Sequence, residues 1–76
     1  MNLNQLIYAS EINRLGSFSR AAQPLYISQS ALSKSIHALE LELEQEIFIR
    51  TTEGIATTDF GRAFLVEAEK TLQHVD

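Results

Sequence analysis

The stretch Ser28 to Leu43, SQSALSKSIHALELEL, restricts the fold more than any other part of the chain, because its two sides ask for different surroundings. Leu32, Ile36, Leu39 and Leu43 recur every three to four residues, the spacing of an apolar stripe on an α-helix. Ser30, Ser33, Lys34 and His37 fall on the opposite side at the same spacing and offer hydroxyls, one cation and one imidazole. Such a helix lies on a core with one side and meets something polar with the other. Small hydrogen-bonding side chains, with no carboxylate before Glu40, suit a helix that enters the major groove of DNA and presents donors to base edges and phosphates. Ser28 is the expected N-cap. Beyond Leu39 the run LELELEQEI alternates as a half-buried strand does. Glutamate favours helices over strands, however, and the stripe continues to Leu43, so helix is expected that far, with Leu41 pointing outward.

The flanking segments supply the core. A first helix is expected over Asn4 to Leu15, with Leu3, Leu6, Ala9, Ile12 and Leu15 inward and Gly16 as its stop. Ser17 caps a second, short helix from Phe18 to Leu25 that turns Phe18, Ala21, Ala22 and Leu25 inward. Pro24, in its last turn, should end or kink it early, since proline has no amide hydrogen. A brief turn through Tyr26 and Ile27 follows. The small Ala21 and Ala22 let the second helix approach the third closely. Ile47 to Ile49 reads as a strand, Arg50 to Gly54 as a polar tip, and Ile55 to Thr57 as the return strand of a hairpin. Thr58 then caps a last helix, with Asp59 favoured in its first turn and Phe60, Ala63, Phe64, Ala68, Leu72 and Val75 as its apolar side. The order is that of a mainly α winged helix-turn-helix: a three-helix core and a small β-hairpin wing, then a further helix. The helix-turn-helix spans about residues 18–37, within a unit of residues 1–58.

Charge and composition narrow the function. The net charge is −4, yet from Ile12 to Leu39 there is no acidic residue, while Arg14, Arg20 and Lys34 lie there. A local positive surface on an acidic whole can still hold phosphate, although few phosphates can be neutralised per chain, so tight binding needs more than one copy. With 76 residues the chain buries only about 60% of its unfolded surface, which also favours a partner chain. The last helix, at nearly five turns, exceeds what so small a core can cover; its distal residues Phe64, Ala68, Leu72 and Val75 are expected to pair with a second chain. The absence of cysteine removes thiolate metal sites and thiol nucleophiles and fits the cytoplasm. No apolar run is long enough to cross a bilayer, so no membrane partner is expected. His37 and His74 lack companions at ligand spacing, so no metal or other cofactor is expected, and His37 reads as a surface residue or backbone contact. The glutamates from Glu40 to Glu46 read as a solvated face, and no base or oxyanion hole accompanies the serines; no enzyme activity is expected. A protein of another class also fits: a winged-helix interaction module without DNA binding, docking through its acidic faces and last helix.

The chain resembles the N-terminal winged helix-turn-helix domain of LysR-type transcriptional regulators. The matching residues are Leu3, Leu6, Gly16-Ser17-Phe18, Ala21-Ala22, Leu25, Ser28-Gln29, Ala31-Leu32-Ser33, Ile36, Leu39-Glu40, Leu43, Phe48, Arg50, Gly54, Thr58 and Gly61. The resemblance implies a bacterial sequence-specific transcription factor on double-stranded promoter DNA, with residues 29–43 in the major groove and 50–55 near the minor groove. Gln29, Ser30, Ser33 and Lys34 would meet bases and nearby phosphates. Arg20 and Ser28 would hold backbone phosphate, and Arg50, Thr51 and Thr52 would lie along the minor groove. It further implies that residues 59–76 begin a linker and dimerisation helix. An effector-binding domain for a small-molecule inducer, absent from this sequence, would follow, and the full-length protein would be a tetramer. This chain departs from the family pattern at Glu53, where a basic residue is usual and where a carboxylate repels phosphate. Glu44 stands where glycine often ends the recognition helix, Ala9 replaces an aromatic, and Ser30 replaces a proline.

Overall fold

In the computed structural model, which describes residues 1–73, the elements follow as α1 Leu3–Leu15, α2 Phe18–Leu25, α3 Gln29–Leu43, β1 Phe48–Thr51, β2 Gly54–Thr57 and α4 Asp59–Gln73. Local chemistry fixes most of these boundaries. Asn2 and Gln5 form a reciprocal capping box, each side chain accepting from the other's backbone N–H, at 2.9 and 3.0 Å, and α1 stops at Gly16 in the left-handed region. Ser17 accepts from the N–H of Arg20, Ser28 from Ala31 and Thr58 from Gly61, so a hydroxyl opens each of the other helices. Pro24 does not end α2 early. The helix runs one residue past it and closes at Tyr26 with φ 58, because the lost hydrogen bond falls in the last turn.

The core gathers around α1, which packs against α2, α3 and α4. Ala9 and Ile12 from α1, Ala21 from α2, Leu32, Ile36 and Leu39 from α3, and Ile47 are closed off from solvent. The expected stripe of α1 needs one correction. Leu3 is 42% exposed and Gln5 is the buried residue, its Nε2 donating to the Ser35 carbonyl at 3.2 Å. The capping box turns Gln5 inward, and the amide finds its acceptor on α3.

The hairpin is shifted from its expected bounds. Ile47 precedes β1, while Arg50 and Thr51 belong to the strand, paired as Arg50↔Ile55 and Thr51↔Gly54, leaving Thr52 and Glu53 as the tip. Gly54, with φ 131, takes a conformation that a side chain would strain. Ile47 instead joins the wing to the body. Its N–H and that of Phe48 donate to Glu40 Oε2 at 2.7 and 3.2 Å, and its carbonyl accepts from the N–H of Thr58 at 2.9 Å. Glu40 is therefore half-buried and bonded, not part of a solvated face.

The buried residues of α4 are Gly61, Leu65 and Ala68. Of the expected stripe Ala68 is buried and Phe60 and Phe64 pack half-buried against the core, whereas Ala63 is exposed and Leu65 lies inward against expectation. A Cβ on Gly61 would stand 2.4 Å from the Ile47 carbonyl oxygen, so only glycine lets α4 lie against that segment. Of the expected pairing residues, Ala68 is already covered within the single chain and offers a partner almost no surface. Phe64 and Leu72 are half-buried, and Val75 lies outside the described residues. Val66, 55% exposed, is the large apolar residue that α4 leaves open.

Candidate nucleic-acid interface

Position along the chain decides which cations are free. Arg14 pairs with Glu11, Arg62 with Asp59 and Lys70 with Glu67, each across one helical turn. Arg20, Lys34 and Arg50 have no carboxylate partner among the described residues. These are the cations of α2, α3 and β1, and all are exposed. Of the acid-free tract's cations Arg20 and Lys34 stay unpaired, while Arg14 is met by Glu11 from just before the tract; Arg50, beyond it, is unpaired as well.

The face of α3 is as its sequence pattern implies. Gln29, Ser30, Lys34 and His37 are exposed, Ser33 is half-buried, and Leu32, Ile36 and Leu39 are buried on the other side. Ser28 caps the helix and its Oγ lies 3.4 Å from Ser30 Oγ, so the first turn presents adjacent hydroxyls with no acid among them. A second serine pair opens α2, where Ser17 Oγ and Ser19 Oγ are 3.1 Å apart. The sequence reading did not single out Ser19; its signal was the spacing in SFSR, which sets it one residue before Arg20 and beside the cap.

Arg50 is placed differently from expectation. Its guanidinium carbon lies over the Phe18 ring, 5.0 Å from the centroid, and the ring is held edge-on by Phe48 at 5.9 Å. One depression is lined by Phe18, Ser33, Lys34, His37, Glu40 and Arg50 among others; a second, smaller notch by Ser17, Ser19, Gln29, Arg50 and Gly54 among others. Arg50 borders both. Thr51 and Thr52 border neither; they are exposed at the end of the hairpin, where the Thr51 hydroxyl accepts from the Glu53 N–H at 3.3 Å. The structure therefore sets Arg50 beside Ser33 and Lys34 in one depression and beside Gln29 in the other, with Thr52 and Glu53 apart from both.

The arrangement has the chemistry of a polyanion surface. Hydroxyls, an amide and three unneutralised cations can hydrogen-bond phosphate oxygens and base edges. No cluster of three or more metal-binding side chains occurs among the described residues, and no helix among them is long and apolar enough to cross a membrane.

Comparison with known proteins gives a consistent result. The family of bacterial regulatory helix-turn-helix proteins named for lysR matches residues 3–62. The nitrogen assimilation regulatory protein nac of Klebsiella aerogenes is 37% identical over 76 residues, which is 100% of this chain and 25% of that protein. The chain spans about a quarter of the length of the curated relatives of this kind. Among solved structures, the BenM DBD in complex with catB site 1 DNA superposes with a TM-score of 0.96 at 37% identity, covering 100% of this chain and 85% of that one. The CbnR DBD–DNA complex gives 0.91 at 33% identity, covering 96% and 84%.

Proposed function

This chain belongs to the lysR family of bacterial regulatory helix-turn-helix proteins, and we propose that it binds promoter DNA sequence-specifically, with α3 in the major groove. The observation that carries the reading is that Lys34 and Arg50, cations with no carboxylate partner among the described residues, line one depression with Ser33 of the hydroxyl-bearing face of α3, with the unpaired Arg20 exposed on α2, in a chain whose net charge is −4. The DNA complexes of the BenM and CbnR domains, which share this fold at over 30% identity, support the same reading.

Within it, Gln29, Ser30, Ser33 and Lys34 meet base edges and adjacent phosphates, and Arg20 and Ser28 hold the backbone. Residues 1–58 act as the DNA-binding unit, and α4 begins a linker helix that pairs two chains through the half-buried Phe64 and Leu72. Pairing fixes the spacing between two recognition helices on a two-fold site. The whole protein would act in the cytoplasm as a non-enzymatic regulator, tetrameric and responsive to a small-molecule inducer bound elsewhere in it.

The test is selection of duplexes from a random-sequence pool by the purified chain, followed by titration of the selected duplex at several salt concentrations. Enrichment of a consensus, with an affinity that falls as salt rises, is expected. Recovery of unenriched sequence with salt-independent affinity would overturn the reading.

A further inference from the structure

Arg50 sits on a strand of the wing, yet its charged end belongs to the helix-turn-helix. A guanidinium lying over an aromatic ring is attracted through its face and keeps its edge N–H donors free, in the fork that suits two phosphate oxygens. That is the state of Arg50 over Phe18, and no carboxylate among the described residues forms an ion pair with it. The fork is thus oriented before any ligand arrives. On one side it borders Ser33 and Lys34 of α3, with the carboxylate of Glu40 turned to the Ile47 and Phe48 N–H groups, and on another Ser19 and Gln29, in the first turns of α2 and α3. A third depression that Arg50 borders is lined by Glu44 and Glu46 among others. Thr51 and the tip, Thr52 and Glu53, border none of these depressions, and the tip carries a carboxylate. A helix in the major groove lies between two sugar-phosphate backbones, and a cation held against its flank meets one of them.

We propose that Arg50 clamps a backbone phosphate at the edge of the major groove that holds α3, together with Ser19 and Gln29, and does not read the minor groove. The proposal rests on the DNA-binding reading above. It assigns to Arg50 a ligand that the wing's position in sequence does not suggest, and it leaves this wing without a cation for the minor groove.

The experiment uses the selected duplex in two modified sets. In one, single phosphates are replaced in turn by neutral methylphosphonate. In the other, G·C pairs become inosine·C pairs, which removes the minor-groove amino group and leaves the hydrogen-bonding edge of the major groove intact. Arg50→Ala should lower the slope of log affinity against log salt by about 0.9. It should also make one methylphosphonate position, on a backbone strand bordering the groove that holds α3, lose its effect. Arg50→Lys should keep the slope, since a point charge still meets phosphate. The proposal is overturned if no methylphosphonate position couples to Arg50. It is equally overturned if inosine·C pairs change the affinity of the parent chain but not that of Arg50→Ala. If the parent chain binds no duplex, the DNA reading itself fails, and this falls with it.

Discussion

The two halves of α3 share one backbone and do opposite work. From Gln29 to Ala38 the outward side chains are hydroxyls, an amide, a lysine and a histidine, free in solvent and without an acid. From Leu39 to Glu44 the outward residues are glutamates and Leu41, and the helix ends at Glu44 in a left-handed conformation that a glycine would adopt without strain. The first half is left open for a ligand. The second half is an anchor, since Glu40 reaches across the chain and takes the N–H groups of Ile47 and Phe48, tying the wing to the helix. Charge of one sign is useful at one end and harmful at the other, so the segregation of acids along a helix can itself mark where the ligand goes.

That division separates variants that unfold the protein from variants that only unbind it. The largest loss is expected from Gly61→Ala, whose Cβ would meet the Ile47 carbonyl and push α4 off the anchored segment. Overpacking of this kind costs about 3 kcal/mol, read as a fall in urea midpoint. Glu40→Ala comes next. It leaves the Ile47 and Phe48 N–H groups without an acceptor, at a cost of about 2 kcal/mol in chemical denaturation, whereas Glu40→Gln keeps an acceptor oxygen and should restore most of it. In the open half, Lys34→Ala should change stability by no more than about 0.5 kcal/mol while weakening binding to a selected duplex by about 1 to 3 kcal/mol if it reads a base. A Lys34→Ala variant that binds as tightly as the parent would remove α3 from the interface. The smallest effect belongs to Glu53→Arg, which turns a repulsive tip into an attractive one. It should tighten binding severalfold and steepen the salt slope by about 0.9; a flat response would mean that the tip does not reach the backbone.

Much of this was legible in the sequence because it is local. The openings of α2, α3 and α4 are marked by Ser17, Ser28 and Thr58, whose side chains bond an N–H three residues on, whereas α1 opens at Leu3 on the Asn2 cap, one residue before the expected Asn4. The stripe Leu32, Ile36, Leu39 placed α3 with its outer face correctly assigned, Leu41 included. What the sequence hid depends on contacts between distant segments. Gln5 is buried because Ser35, on another helix, offers a carbonyl. Glu40 is bonded because Ile47 arrives beside it, and the alternating LELELEQE run gave no sign which glutamate would turn in. The expected apolar side of α4 holds for Ala68 and the core-packed Phe60 and Phe64, but the close approach at Gly61 also buries Leu65, which the spacing does not mark. Arg50 was read with the tip because only the strand register shows it facing Phe18.

The account depends on the free cations of α2, α3 and β1 being the charges that meet DNA. The direct measurement is the salt dependence of duplex binding for the triple variant Arg20→Ala, Lys34→Ala, Arg50→Ala, with folding checked by thermal unfolding. A folded triple variant should lose about 2.7 units of slope, 0.9 for each phosphate contact removed. A folded triple variant with the parent slope would contradict the assignment, since the charges meeting phosphate would then lie elsewhere on the molecule.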